Sequence, residues 1–151
     1  MSTKEVYVVG HCVYGGKAGF GIYWGPGHWI AGDVRNHSGL VKGQKNTGPC
    51  AELEGAIMAV NMAKSHGYRR IQVNMKSTYV TSLFTGTNRH RQNGDLIQEL
   101  SKAKKKMLVT WKFIGKESRA GGIEQADQLA RLVVAGDSNH NLIQTVIPDF
   151  L

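Results

Sequence analysis

Apolar positions along this chain alternate between two periods, and the changes of period mark out its elements. Glu5 to Val13 is rich in Val and Tyr, and Ala18 to Trp24 sets small residues among Phe20, Ile22 and Trp24. Both stretches read as strands, with Gly15-Gly16 as the turn between them. After Gly25-Pro26-Gly27, His28 to Val34 is expected as a third strand, which would complete an antiparallel meander. Arg35 to Thr47 is polar and glycine-bearing and reads as a loop. The period then lengthens. Leu53, Ala56, Ile57, Val60 and Ala63 recur every three or four residues, which predicts a helix from about Ala51 to His66 with Gly67 at its C-terminal cap. Glu52 would fall in its first turn, where the helix dipole favours an acid.

Ile71-Gln-Val-Asn-Met75 returns to strict alternation and predicts a fourth strand, parallel to the first because a helical crossover precedes it. Ser77 to Phe84 reads as a short helix and Thr85 to Gln92 as a basic loop. Asp95 to about Lys106 follows as a helix, with Leu96, Ile97 and Leu100 on one face and a lysine-rich end suited to the dipole. Leu108 to Ile114 is a fifth strand, Gly115 to Gly122 a loop, and Ile123 to Ala135 a last helix built on Ala126, Leu129, Ala130, Val133 and Val134. The expected class is α/β, a mixed sheet flanked by helices. Residues 1–136 form the expected domain. Residues 137–151 form a tail that carries Leu142, Ile143, Val146, Ile147, Phe150 and Leu151.

At 151 residues and 41% hydrophobic content, one domain with a real core is expected, and no apolar run approaches the roughly 20 residues of a membrane span. A signal or transit peptide is not expected ahead of Val6. Cys12 and Cys50 make no disulfide framework, so a reducing intracellular setting, cytoplasmic or nuclear, is the simpler expectation. The formal net charge of +8 favours polyanionic partners, above all nucleic acid, against a merely solvated basic surface.

Several segments resemble the ribonuclease H type 1 family over roughly Val6 to Gly136. They are Ala18-Gly-Phe-Gly-Ile-Tyr-Trp-Gly-Pro-Gly-His28, Cys50-Ala-Glu-Leu53, Lys76-Ser77, Asn93-Gly-Asp-Leu96 and Glu124-Gln-Ala-Asp-Gln-Leu-Ala130. The resemblance implies a five-stranded sheet of three antiparallel and then parallel strands. It also implies a nuclease that cuts the RNA strand of an RNA–DNA hybrid with two Mg²⁺ ions held by four carboxylates. This chain departs from that pattern. Glu52 and Asp127 match two of the acids. Val9 and Lys76 fall on the positions of the other two, and Lys116 is the nearest match to the family's loop histidine. Valine cannot ligate a metal, and lysine puts a cation where a cation would bind. Mg²⁺ binding is therefore expected to be lost or weak, no cofactor is expected, and Glu52 and Asp127 are remnants of a catalytic set. Lys76 is expected to reach between Glu52 and Asp127 and relieve their repulsion, against the plainer alternative that it points to solvent.

Nucleic-acid binding can outlive catalysis, since phosphate contacts need only donors and positive charge. Lys45, Thr47 and Asn93 fall on the family's phosphate pocket, Cys12 on a residue near the RNA strand, and Tyr79 on a helix aromatic. Arg89 and Arg91, with His90, would replace part of a basic region that is shortened here. The plain alternative for each is a loop or capping residue. The leading expectation is a pseudoenzyme that binds RNA or RNA–DNA hybrid. The alternatives are a protein-interaction scaffold, or homo-oligomer, using the sheet edge or the tail, and a weak residual nuclease. No membrane partner is expected.

Overall fold

The computed structural model describes residues 3–13, 16–30, 32–42, 46–83, 94–115 and 121–136. Its elements run β1 (Lys4–Cys12), β2 (Ala18–Tyr23), β3 (His37–Leu40), α1 (Gly48–Ser65), β4 (Arg70–Met75), α2 (Tyr79–Leu83), α3 (Gly94–Ala103), β5 (Leu108–Phe113) and α4 (Gly121–Val134). The five strands form one sheet in the order β3-β2-β1-β4-β5. The first three pair antiparallel, and β4 joins β1 and β5 in parallel, as the helical crossovers require. The mixed five-stranded sheet flanked by helices is the one expected.

Strand alternation distributes the core over two faces. Val6 and Val8 of β1, Phe20 and Ile22 of β2, and Ile71, Val73 and Met75 of β4 pack with Leu53, Ala56, Ile57 and Val60 of α1. On the other face Val9 and Tyr23 pack with Ile123 and Ala126 of α4. Glycines let both helices come close. A Cβ on Gly10 would press on the Glu52 backbone nitrogen, and one on Gly21 would collide with the Ala126 carbonyl and the Ala130 nitrogen.

Three expectations need correcting. The described residues of 28–34 form turns and bends, and the third strand lies at His37–Leu40, inside the stretch expected to be a loop. Gly25, Gly27 and Gly32 hold positive φ. Asn36 then pins the turn, accepting from the Trp24 amide and donating to the Gly25 carbonyl. The His28 carbonyl accepts from the Asn36 amide at 2.6 Å, so His28 closes a loop instead of entering the sheet. The second correction concerns α1. It starts at Gly48, with Thr47 as N-cap and a proline in the opening turn, so Glu52 lies beyond the first turn and does not cap the helix. The third concerns α3, which stops at Ala103. Lys104 to Lys106 turn away from it, with Lys106 at φ 65°.

Candidate functional site

The carboxyl ends of β1 and β4 separate to make the site. Their parallel pairing reaches Tyr7 and Asn74; beyond it, β1 is held by β2 and β4 by β5. A crevice opens between the two strand ends, at the kind of position where open α/β sheets bind ligands. It is a groove of about 390 Å³ lined by Val8, Val9 and Gly10 of β1, Met75, Lys76 and Ser77 at the end of β4, and Glu52 of α1. Gly115, Ile123, Glu124 and Asp127 complete its wall. Four positions that lie far apart in sequence, Val9, Glu52, Lys76 and Asp127, thus share one groove.

Val9 is 1% exposed and forms an apolar floor. Lys76 Nζ donates to Asp127 Oδ1 at 3.0 Å, and Arg131, one helical turn on, donates through Nε to Asp127 Oδ2 at 2.8 Å. Burial would raise the Asp127 pKa, but the hydrogen bonds and charges of Arg131 and Lys76 outweigh it and hold the carboxyl below its ordinary value. Glu52 behaves in the opposite way. Burial pushes its pKa up to about 7, against the opposing pull of a Ser77 hydrogen bond and the Lys76 charge, and Oε1 is buried with no hydrogen-bond partner. Lys76 therefore pairs with Asp127, as expected, but reaches Glu52 only through its field.

Two groups escaped the sequence reading. Arg131 is one; its signal was the four-residue spacing from Asp127. His11 is the other, two residues beyond Val9 on the same face of β1. Its imidazole pKa is lowered by burial first and then by Arg131 and Lys76, with Asp127 pulling the other way, so these four groups share one electrostatic neighbourhood. Among the described residues no group of three or more His, Cys, Asp or Glu side chains could hold a metal ion.

The expected binding residues divide between described and undescribed segments. Thr47 is exposed and caps α1, its hydroxyl accepting from the Cys50 amide at 3.2 Å. Cys12, at the end of β1, donates its thiol to the Asn46 carbonyl at 3.0 Å, which ties it to the residue before Thr47. Tyr79 opens α2, its amide bonded to Ser77 Oγ, and its ring packs against the main core. Lys45, Arg89, His90, Arg91, Asn93, Lys116 and the tail 137–151 lie outside the described residues. No helix among the described residues is long and apolar enough to cross a membrane.

The family described as reverse transcriptase-like matches residues 30–139 of the chain. Ribonuclease H1 of Rattus norvegicus and of Mus musculus are each 27% identical to it over 143 residues, covering 83% of this chain and 48% of theirs. The chain thus spans about half the length of the curated relatives it matches. Among solved structures, the N-terminal RNase H domain of a Mycobacterium tuberculosis protein, fused to maltose binding protein, superposes with a TM-score of 0.66 at 18% identity. That match covers 96% of this chain and all of the other. RNase H1 from Halobacterium salinarum NRC-1 gives 0.64 at 20% identity over 89% and 99% of the two chains. LC11-RNase H1, in complex with an RNA/DNA hybrid, gives 0.66 at 17% identity over the same shares.

Proposed function

This chain belongs to the reverse transcriptase-like family, of ribonuclease H type 1 character, and from that premise we propose that it binds RNA or RNA–DNA hybrid without cutting it. The observation that carries the reading is the state of Asp127. Both of its oxygens are engaged, one by an ammonium and one by a guanidinium.

A two-Mg²⁺ centre does not fit this set of donors. Mg²⁺ asks for several hard oxygen ligands in near-octahedral array. Val9 offers none. Lys76 places a cation within 3.0 Å of one of the two remaining acids. Burial pushes the Glu52 pKa up to about 7, which disfavours the charged form that a metal ligand needs. No hydrolytic step is therefore derived through metal ions. Binding asks for less, namely donors and positive charge along a phosphate backbone. The net charge of +8 supports it. So does the likeness in fold to LC11-RNase H1, whose structure contains an RNA/DNA hybrid.

The test is a paired assay on one labelled RNA–DNA hybrid, following binding and cleavage first with Mg²⁺ and then with Mn²⁺. Saturable, salt-sensitive binding without cleavage is the expected result. Cleavage above that of a Glu52→Ala control would overturn the reading. A scaffold role is the second reading, and the outer edge of the sheet favours it: among the described residues β5 pairs with β4 alone, and Leu108 is 59% and Phe113 47% exposed. Absence of hybrid binding would move the assignment there.

A further inference from the structure

The exchange of an acid for Lys76 does more than remove a metal ligand. Lys76 and Arg131 each take one of the two oxygens of a single carboxylate, at 3.0 and 2.8 Å. Their side chains are 40% and 57% exposed, against 19% for Asp127. The carboxylate is thus the more covered partner and both cations stay accessible to water, Lys76 in the groove lining and Arg131 beside it on α4. Lys76 has three donors, of which Asp127 takes one. Arg131 is held through Nε, which leaves its two terminal amino groups as further donors. Beside them lie the His11 imidazole on β1 and the apolar floor of Val9 and Ile123.

We infer that Lys76 and Arg131 form a metal-free receptor for a phosphodiester anion, with Asp127 as the carboxylate that holds both cations in register. This rests on the nucleic-acid reading above and gives it a contact. Guanidinium and ammonium groups are the side chains best suited to phosphate oxygens, and a donor already oriented by a half-buried counter-ion loses less entropy when it binds. Two glutamates, Glu52 and Glu124, also line the groove, so the pocket's net charge does not draw the anion in. Recognition rests on the placed donors, and long-range attraction comes from the rest of a basic chain. Lys76 lines the groove and Arg131 adjoins it through Asp127, and together they supply in fixed form the positive charge that bound metal ions would otherwise bring to a backbone phosphate.

The experiment measures hybrid affinity by fluorescence anisotropy in EDTA over a range of salt, for the wild type, Lys76→Gln, Arg131→Gln and Arg70→Gln. Arg70, exposed at the other end of β4, is the control. Each groove variant is expected to weaken binding by about tenfold, the scale of one charge-assisted hydrogen bond. Each should also reduce the salt slope by about one phosphate contact. Arg70→Gln and replacement of EDTA by Mg²⁺ should change neither. Wild-type affinity and slope in both groove variants would overturn the inference while leaving the broader reading intact.

A second arm separates the two in the other direction. The His11 imidazole resonances are followed by NMR during titration with a short single-stranded oligonucleotide and, separately, with inorganic phosphate. A shift with the oligonucleotide that Lys76→Gln abolishes upholds the receptor even if the hybrid fails to bind. No shift, or a shift with inorganic phosphate alone, overturns it.

Discussion

Replacing Glu52 by glutamine is expected to stabilise the protein at pH 8 and leave it unchanged at pH 4. The side chain keeps its shape and can still accept the Ser77 hydrogen bond, so what changes is the charge. In the folded protein the carboxyl titrates near 7, against an ordinary value of 4.5. Below about pH 4.5 both folded and unfolded chains hold the proton, and Glu52 contributes no pH dependence. Between 4.5 and 7 the unfolded chain releases it while the folded chain retains it, so the folded state binds more protons and loses stability as pH rises. Above 7 both are ionised and the loss is complete. At 1.36 kcal/mol per pKa unit the full difference is about 3 kcal/mol, and solvent reaching the groove trims this towards about 2. Urea unfolding followed by tryptophan fluorescence, at intervals from pH 4 to pH 8, measures it for both proteins. The difference curve should start near zero and climb to its plateau by pH 8, equivalent to roughly 5–10 °C in Tm. A flat difference, or one that grows towards acid pH, would refute the claim that burial dominates at Glu52.

Other perturbations test the frame and the chemistry separately. Gly21→Ala should destabilise by about 2–3 kcal/mol, read in the same urea assay, because a methyl there meets the α4 main chain instead of a side chain that could turn aside. Thr47→Ala should remove the α1 cap at a cost of about 1 kcal/mol, with no change in the pH profile set by Glu52. The double substitution Val9→Asp, Lys76→Asp places acids at the two positions where the family resemblance expects them. It should lower Tm in EDTA and make Tm rise by several degrees with millimolar Mg²⁺, whereas the wild-type Tm should not respond. A double variant indifferent to Mg²⁺ would mean that more than two side chains separate this groove from a metal centre.

The sequence was legible where one residue type could satisfy one pattern. Leu53, Ala56, Val60 and Ala63 are all fully buried, as their spacing along α1 demands. It was not legible where a long-range hydrogen bond overrode local propensity. Trp29 and Ile30 look like strand residues, yet Ile30 is 76% exposed, because the Asn36 side chain ties the chain back to Trp24 and Gly25. Nothing local to His28–Val34 announces that. The start of α1 lies three residues ahead of the expected Ala51, since proline is tolerated in a first turn. Within the site, the meeting of Lys76 with Asp127 followed from the positions the family resemblance assigned. The place of Glu52 followed only in part, since whether an acid pairs or stays protonated depends on tenths of a nanometre that spacing does not encode. Arg131 and His11 carried readable signals, an i,i+4 relation and a shared strand face, that acquire meaning only once α4 is known to lie over β1.

The glycines beneath the two helices have a consequence for how such a cleft can change its trade. At Gly10 and Gly21 the helices rest against strands through main-chain atoms, so the width of the cleft is set by parts that every sequence shares. Of the side chains that line it, Val9 also packs against α4, whereas Lys76 is exposed at the end of β4. A side chain at the rim can change without moving those seats, so a cleft of one shape can carry different chemistry. A lineage can therefore lose one occupation and take up another in the same room, and shape alone will not tell which tenant is present.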